Sequence, residues 1–452
     1  MRVVAAFAFL ILAPVAAVAQ EPTTSAAGPP ASWTAAWAGS AQGAYPAGYS
    51  VAQPGTPGPA GPGNQAPLLT DAFPDNQARN QSLRMIVRPG FEATSWRIRL
   101  TNEFGTRPVT FGHASAGLQA TGGTVQAGTN RALTFSGRPS VTVAAGRTVL
   151  SDAVRVRVTD AAAQRLAVSL HVAGASGPMT WHAAAFTTSY LSGQNAGDHT
   201  ADTGDTAFPY STTSWFFVSE VQAQHPGTAT VVAFGDSITD GFFSTLNGDD
   251  RWPDVLQRRL DSRRAGHRPI TVVTEAIGGN MVTRIGRTPG GCTPCDGPPA
   301  LDRLDRDVLD RPGARVVILL EGINDLGGGG ATADQVIAGY REIIQRVHAR
   351  GLKIIGATLT PSAGTAFGLY GTPETDRERQ KINAFIRTSG AFDGVADFAA
   401  VTEDPANPGH LLPAYDTNSS AGGPGDHLHP NRAGFLAMAG AIDLPQLERL
   451  AR

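Results

Sequence analysis

Apolar positions follow two rhythms along this chain, and the change between them divides it. From about Ser82 to Val221 apolar and polar residues alternate. Leu83, Met85 and Val87 share one side of a run, as do Trp96, Ile98 and Leu100; residues 141–143, 154–158 and 166–170 repeat the pattern. A period of two puts successive side chains on opposite faces of a strand. Turn residues separate these runs at short intervals and no strong helical period interrupts them. This half therefore predicts an antiparallel, jelly-roll-like β-sandwich.

After Gln224-His225-Pro226-Gly227 the rhythm changes. Short unbroken apolar runs at 230–234, 270–277, 315–320, 353–359 and 394–398 predict strands buried on both faces. Between the third and fourth, Thr332-Ala333-Asp334-Gln335 has capping-box spacing and opens a helix that carries Val336, Ile337, Tyr340, Ile344 and Val347 inward and stops at Gly351. A second helix is expected over 374–388, with Ile382, Phe385 and Ile386 inward. Strands alternating with helices predict a flavodoxin-like three-layer α/β/α domain with a parallel sheet. The expected division is 1–19 as a leader, 20–224 as the sandwich and 228–452 as the α/β domain. Trp33 and Trp37 fall before the alternating runs and are expected outside the strands, in a segment able to pack across the second domain. Trp96 is expected in the sandwich core, and Trp252 in that of the α/β domain.

Composition narrows the class. A net charge of -2 over 452 residues lacks the basic face that a nucleic-acid partner needs. Arg2, an apolar run to Val18 and Ala17-Val18-Ala19 have the form of a cleaved secretory signal, so an exported protein, periplasmic or extracellular, is expected. No other segment is apolar enough to span a bilayer. The two cysteines, Cys292 and Cys295, lack the second pair that a zinc site of this type requires. In an oxidising compartment they are expected to form a short loop disulfide. The ten histidines are scattered with no HExxH spacing, and neither a metal nor a cofactor is expected.

Chemistry concentrates just past the strand ends, where open α/β sheets bind ligands. Gly235-Asp236-Ser237-Ile238-Thr239 follows the first strand, Ile277-Gly278-Gly279-Asn280 the second and Glu321-Gly322-Ile323-Asn324-Asp325 the third. Gly425-Asp426-His427-Leu428-His429-Pro430 follows the fifth. A serine becomes a nucleophile only when a base takes its proton, and the base needs an acid on its other nitrogen. Ser237, His429 and Asp426 supply the three parts. The spacing of three between Asp426 and His429 predicts one helical turn carrying both. If the strand order is 2-1-3-4-5, the loops bearing Gly279, Ser237 and Asn324 converge, and the irregular stretch 399–425 must bring His429 back to Ser237. An oxyanion needs directed N–H donors. The Ser237 N–H, a glycine N–H and the Asn324 amide are of the right kind.

In these four blocks the chain resembles the SGNH or GDSL hydrolase superfamily, over about residues 228–450. The resemblance implies a secreted serine ester hydrolase: Ser237 in GDSIT as nucleophile, His429 and Asp426 in DHLHP as base and orienter, and Ser237, Gly279 and Asn324 as the oxyanion hole. Thr274 and Ala276 stand where the family's second block carries Asn and Gly, so Gly278 and Gly279 both remain candidate donors. The sandwich resembles the domain preceding the hydrolase in some secreted bacterial members, where it would bind glycan, shape the substrate site or only pack. The implied substrate is a small-molecule or glycan ester. A carbohydrate O-acetylesterase, and a glycan-binding protein with a vestigial hydrolase, are the other readings.

Overall fold

The computed structural model of this protein describes residues 33–46, 69, 71–263, 269–283 and 297–452. The expected leader and the Cys292–Cys295 pair lie outside them.

The alternating half folds as two large antiparallel sheets and a small third one of Trp215–Phe216, Met179–His182 and Gly43–Tyr45. One large sheet is ordered Trp33–Ala38, Val218–Gln224, Ala93–Thr101, Val154–Val158; the other runs Tyr210–Thr212, Ser189–Leu191, Arg79–Val87, Leu166–Ala175, Val109–Thr121, Thr124–Val125. Val154–Val158 shows the principle plainly, with its valines buried and its arginines exposed. Leu83, Met85 and Val87 meet Trp96, Ile98 and Leu100 in one core. Trp33 and Trp37 do not lie outside the strands. They belong to the edge strand Trp33–Ala38, paired with Val218–Gln224 through a bulge between Ala35 and Trp37. That strand is short of alternation because it is covered on two sides. Trp37 meets Trp215 edge-on at 4.7 Å inside the sandwich, while Ala35 donates its N–H to the Pro312 carbonyl of the other half at 2.9 Å.

The second half is a five-stranded parallel sheet of β1 (Ala229–Gly235), β2 (Ile270–Ala276), β3 (Ala314–Leu320), β4 (Lys353–Ala357) and β5 (Gly394–Ala396). Its order is β2-β1-β3-β4-β5. Every residue of β1 is buried, as a strand covered by helices on both faces must be. The helix Ala333–Ala349 starts at the Thr332 capping box, and Pro373–Thr388 starts at Thr372. These helices pack together, as do Trp252–Asp261 and Arg432–Gly440. Trp252 is fully buried, its indole 3.3 Å from the Thr239 hydroxyl.

The two halves meet through buried charge as well as through apolar surface. Arg311 pairs with Glu220 of the sandwich at 3.6 Å and with Glu275 of β2 at 2.5 Å. Arg306 reaches Glu103 at 2.6 Å. His182, on the sandwich strand Met179–His182, lies 3.2 Å from Asp240, and both are buried. Among the described residues no helix is long and apolar enough to cross a membrane.

Candidate active site

The first strand of the parallel sheet ends against a tight corner. A Cβ on Gly235 would lie 2.5 Å from the Leu320 carbonyl oxygen and 2.2 Å from the Thr239 hydroxyl, so only glycine fits where β1 leaves the sheet. Asp236 caps the following helix, Ser237–Asp240, by accepting from the Ile238 N–H at 3.0 Å. Ser237 is thereby fixed in the first turn, where a backbone N–H has no partner within the helix. Its Oγ is 2.8 Å from His429 Nε2. His429 Nδ1 is 2.6 Å from Asp426 Oδ2.

The segment that brings His429 back is not the helical turn its spacing predicted. Asp426 Oδ1 accepts from the Leu428 N–H at 3.0 Å and the His429 N–H at 2.8 Å, an Asx turn, with His427 in the left-handed region at φ 62°. One carboxylate oxygen thus shapes the loop and the other takes the imidazole. Asn431 then caps Arg432–Gly440 through the N–H groups of Ala433 and Gly434. Phe242 stacks on the His429 ring at 5.3 Å, and Phe243 meets it edge-on at 5.6 Å. Behind Phe242 stands Phe186 of the sandwich, at 5.6 Å. His427 is exposed and hydrogen-bonded to Asp416, away from the serine's partner nitrogen.

The second and third blocks are tied to each other. Gly322, at φ 124°, leads β3 into the short helix Ile323–Gly327 that carries Asn324. Asn324 Nδ2 donates one hydrogen to the Asn280 carbonyl at 2.9 Å, and its Oδ1 accepts from the Tyr370 hydroxyl at 2.8 Å. Those two bonds fix the amide and leave its second N–H directed elsewhere. Tyr370 reaches Asn324 because Gly327 and Gly328 lack side chains; a Cβ on either would lie within 2.8 Å of its ring or hydroxyl. Gly278 lies under Phe242, where a Cβ would be 2.7 Å from the ring. Gly279 is the more open of the pair and takes φ 76°.

Beneath these loops sits Arg303, fully buried. Its guanidinium donates to the carbonyls of Gly235 and Glu275 at 2.8 and 2.9 Å, to Asn280 Oδ1 at 2.9 Å and to Ser40 of the sandwich at 3.3 Å. It also lies 3.6 Å from Glu321. One side chain therefore joins the first and second blocks, the acid that opens the third, and the sandwich.

The electrostatics follow from burial. Burial works against a charged His429, but the charge and hydrogen bond of Asp426 outweigh it, and Asp236 adds to them, so His429 holds its proton above the usual imidazole range. Burial likewise opposes ionisation of Asp426, yet His429 and two backbone N–H groups keep it below the usual carboxylate range. The deeper acids go the other way. Burial pushes Asp236 up to about 7 and Asp325 up to about 6, and Glu321 well above its ordinary value.

Ser237, His429 and Asp426 are thus in one hydrogen-bonded line, and Asn324 is tied to the Gly278-Gly279-Asn280 segment. Tyr370, Arg303 and Phe242 were not anticipated. Their contacts join loops far apart in the chain, and no local pattern marks them. Such an arrangement can deprotonate a hydroxyl, hold the imidazolium that results and offer N–H groups to an oxyanion.

Residues 233–437 match the GDSL-like Lipase/Acylhydrolase family. Among solved structures, a GDSL-like lipase from Bacteroides thetaiotaomicron is 17% identical, covering 49% of this chain and 88% of its own, with a TM-score of 0.35. The aryl esterase of M. smegmatis is 15% identical over 47% of this chain and 95% of its own, at TM-score 0.36. A family two carbohydrate esterase from Cellvibrio japonicus is 12% identical over 83% of this chain and 90% of its own, at TM-score 0.35. No curated protein matches. Residues 233–437 thus form a GDSL-like lipase/acylhydrolase domain, the domain of a carboxylic ester hydrolase.

Proposed function

We propose that this protein is an exported serine esterase working through an acyl-enzyme, with Ser237 as nucleophile, His429 as base and Asp426 as its orienter. The observation that carries this reading is the unbroken line from Ser237 Oγ to His429 Nε2 at 2.8 Å and from His429 Nδ1 to Asp426 Oδ2 at 2.6 Å. His429 takes the serine proton as Oγ attacks the ester carbonyl. Asp426 holds the tautomer that leaves Nε2 free and stabilises the imidazolium that forms. The oxyanion is held by the N–H of Ser237, that of Gly279 and the remaining N–H of the Asn324 amide. Gly279 is preferred to Gly278 because Phe242 covers the latter. The imidazolium then protonates the leaving alcohol. Water, activated by the same histidine, releases the acid and restores the serine.

The substrate is best read as a soluble ester with a short acyl group, acetylated glycan included. Among the described residues the large hydrophobic side chains left exposed are Leu369 and Leu436. Phe242 and Phe243 crowd the imidazole from two sides. The test is a release assay over p-nitrophenyl acetate, long-chain p-nitrophenyl esters and acetylated xylan, with Ser237→Ala alongside. Fast turnover of acetyl esters and loss of all activity in Ser237→Ala are expected. A preference for long chains would refute the short-acyl reading. A Ser237→Ala variant that keeps more than about a tenth of turnover would refute the nucleophile.

A further inference from the structure

The sandwich carries a second cluster of chemically able side chains, apart from the Ser237 site. His113 and His171 are direct cross-strand partners on Val109–Thr121 and Leu166–Ala175, so their side chains rise side by side from one face of the sheet. The pairing slips just beyond them: Val172 opposes Phe111, which leaves Gly112 as the extra residue of a bulge. Asp198 comes from the loop that follows Ser189–Leu191 and closes over this face. One ligand atom from each of the three lies within 4.8 Å of the other two. Among the described residues no other group of histidine, cysteine and acidic side chains gathers in this way.

The surrounding hydrogen bonds suit ligation. His171 Nε2 is 2.9 Å from Asn80 Oδ1, an atom that can only accept, so Nε2 carries the proton and Nδ1 presents a bare lone pair. That Nδ1 is buried and has no hydrogen-bond partner. A Cβ on Gly112 would lie 2.8 Å from it, so a larger residue there would crowd the atom. Asp198 has one oxygen held by the N–H and hydroxyl of Thr200, at 2.9 and 2.7 Å; its other oxygen meets His113 Nδ1 at 2.6 Å. Each of these two ligands therefore has an outer partner that fixes its orientation, as metal-binding side chains do.

We propose that His113, His171 and Asp198 form a binding site for a late first-row divalent cation, Zn²⁺ foremost. Two imidazoles and one carboxylate favour such an ion over Ca²⁺ or Mg²⁺, which prefer oxygen alone. Metal bonds of about 2.0–2.2 Å need the three ligand atoms roughly 3.3 Å apart. The His113–Asp198 contact, now 2.6 Å, then opens slightly and the remaining separations close. Three protein ligands leave a fourth position for water or another donor. The ion would clip the loop bearing Asp198 to the sheet and stabilise the sandwich. This site is independent of the esterase reading.

The test is calorimetric titration of the chelator-treated full chain with ZnCl₂ and, in parallel, with CaCl₂. Melting temperature is followed by circular dichroism, and esterase turnover reports that each variant is folded. One Zn²⁺ per chain is expected, with a rise in melting temperature and no heat from Ca²⁺. His171→Ala and the near-isosteric, exposed Asp198→Asn should each weaken Zn²⁺ binding at least ten-fold while esterase turnover stays. Absence of stoichiometric Zn²⁺ uptake by the wild type, Ca²⁺ binding of equal strength, or undiminished Zn²⁺ binding in Asp198→Asn would each overturn the proposal.

Discussion

His429 is balanced between two opposing influences, and on the proposed mechanism the balance sets the pH at which this enzyme works. Burial alone would strip its proton; Asp426 restores it and raises its pKa above the ordinary imidazole value of about 6.5. A base must be neutral to act. Activity is therefore expected to be present above that raised value and to fall as pH drops through it, while Asp426, with a lowered pKa, stays ionised throughout. A pH–rate profile of kcat/KM whose acidic limb sits below about pH 6 would contradict this. Tyr370 makes a second prediction at this scale. Its hydroxyl holds the Asn324 carbonyl oxygen, and so decides where the amide N–H points. Tyr370→Phe should lower kcat by about ten-fold and leave KM nearly unchanged, since the bond matters to an oxyanion that exists only in the transition state. Equal kcat in steady-state kinetics would show the amide to be held without it. The serine, histidine, acid and asparagine were legible because each sits just past a strand end in a recognisable block. Tyr370 was not, because its partner lies on another loop and nothing in its own neighbourhood announces the contact.

At the level of elements the parallel strands were readable because doubly buried strands leave unbroken apolar runs, and the Thr332 capping box marked the helix that follows β3; the order 2-1-3-4-5, assumed from the sequence, is the one the sheet has. Two elements escaped. Trp33–Ala38 lacks alternation because alanines let it lie between the two halves of the molecule. The Asp426–His429 segment has helical spacing yet forms an Asx turn, since a carboxylate that accepts backbone N–H groups competes with the helix. Asp426→Asn separates the two duties of that side chain. Its Oδ1 can still shape the turn, but the tautomer of His429 is lost, so kcat should fall by about 10³- to 10⁴-fold with little change in stability or KM. A variant within three-fold of wild-type kcat would show that another acid orients the base.

For the whole molecule, ion pairs join the two halves, and the one between Glu220 and Arg311 is buried. Glu103, Glu220, Arg306 and Arg311 look like ordinary surface charges until the fold places them against one another, which no local pattern encodes. Glu220 bridges Arg99 of the sandwich at 2.6 Å and Arg311 of the other half at 3.6 Å, with its own side chain fully buried. Glu220→Ala removes one partner of Arg311, which keeps Glu275, and of Arg99, and should cost about 1–3 kcal/mol in denaturant unfolding. A loss under about 1 kcal/mol would mean the pairing contributes little. By the same reasoning, residues 228–452 expressed alone expose this charged surface and should be poorly soluble or weakly active. A soluble, fully active fragment would show the sandwich to be detachable. The central claim, that Ser237 is a nucleophile driven by His429, is tested most directly by covalent capture. The full chain is treated with a fluorophosphonate and the adduct is located by peptide mass spectrometry. One adduct per chain on Ser237 is predicted, absent in Ser237→Ala and formed far more slowly in His429→Ala; an unmodified Ser237, or labelling that His429→Ala leaves unchanged, would contradict the account.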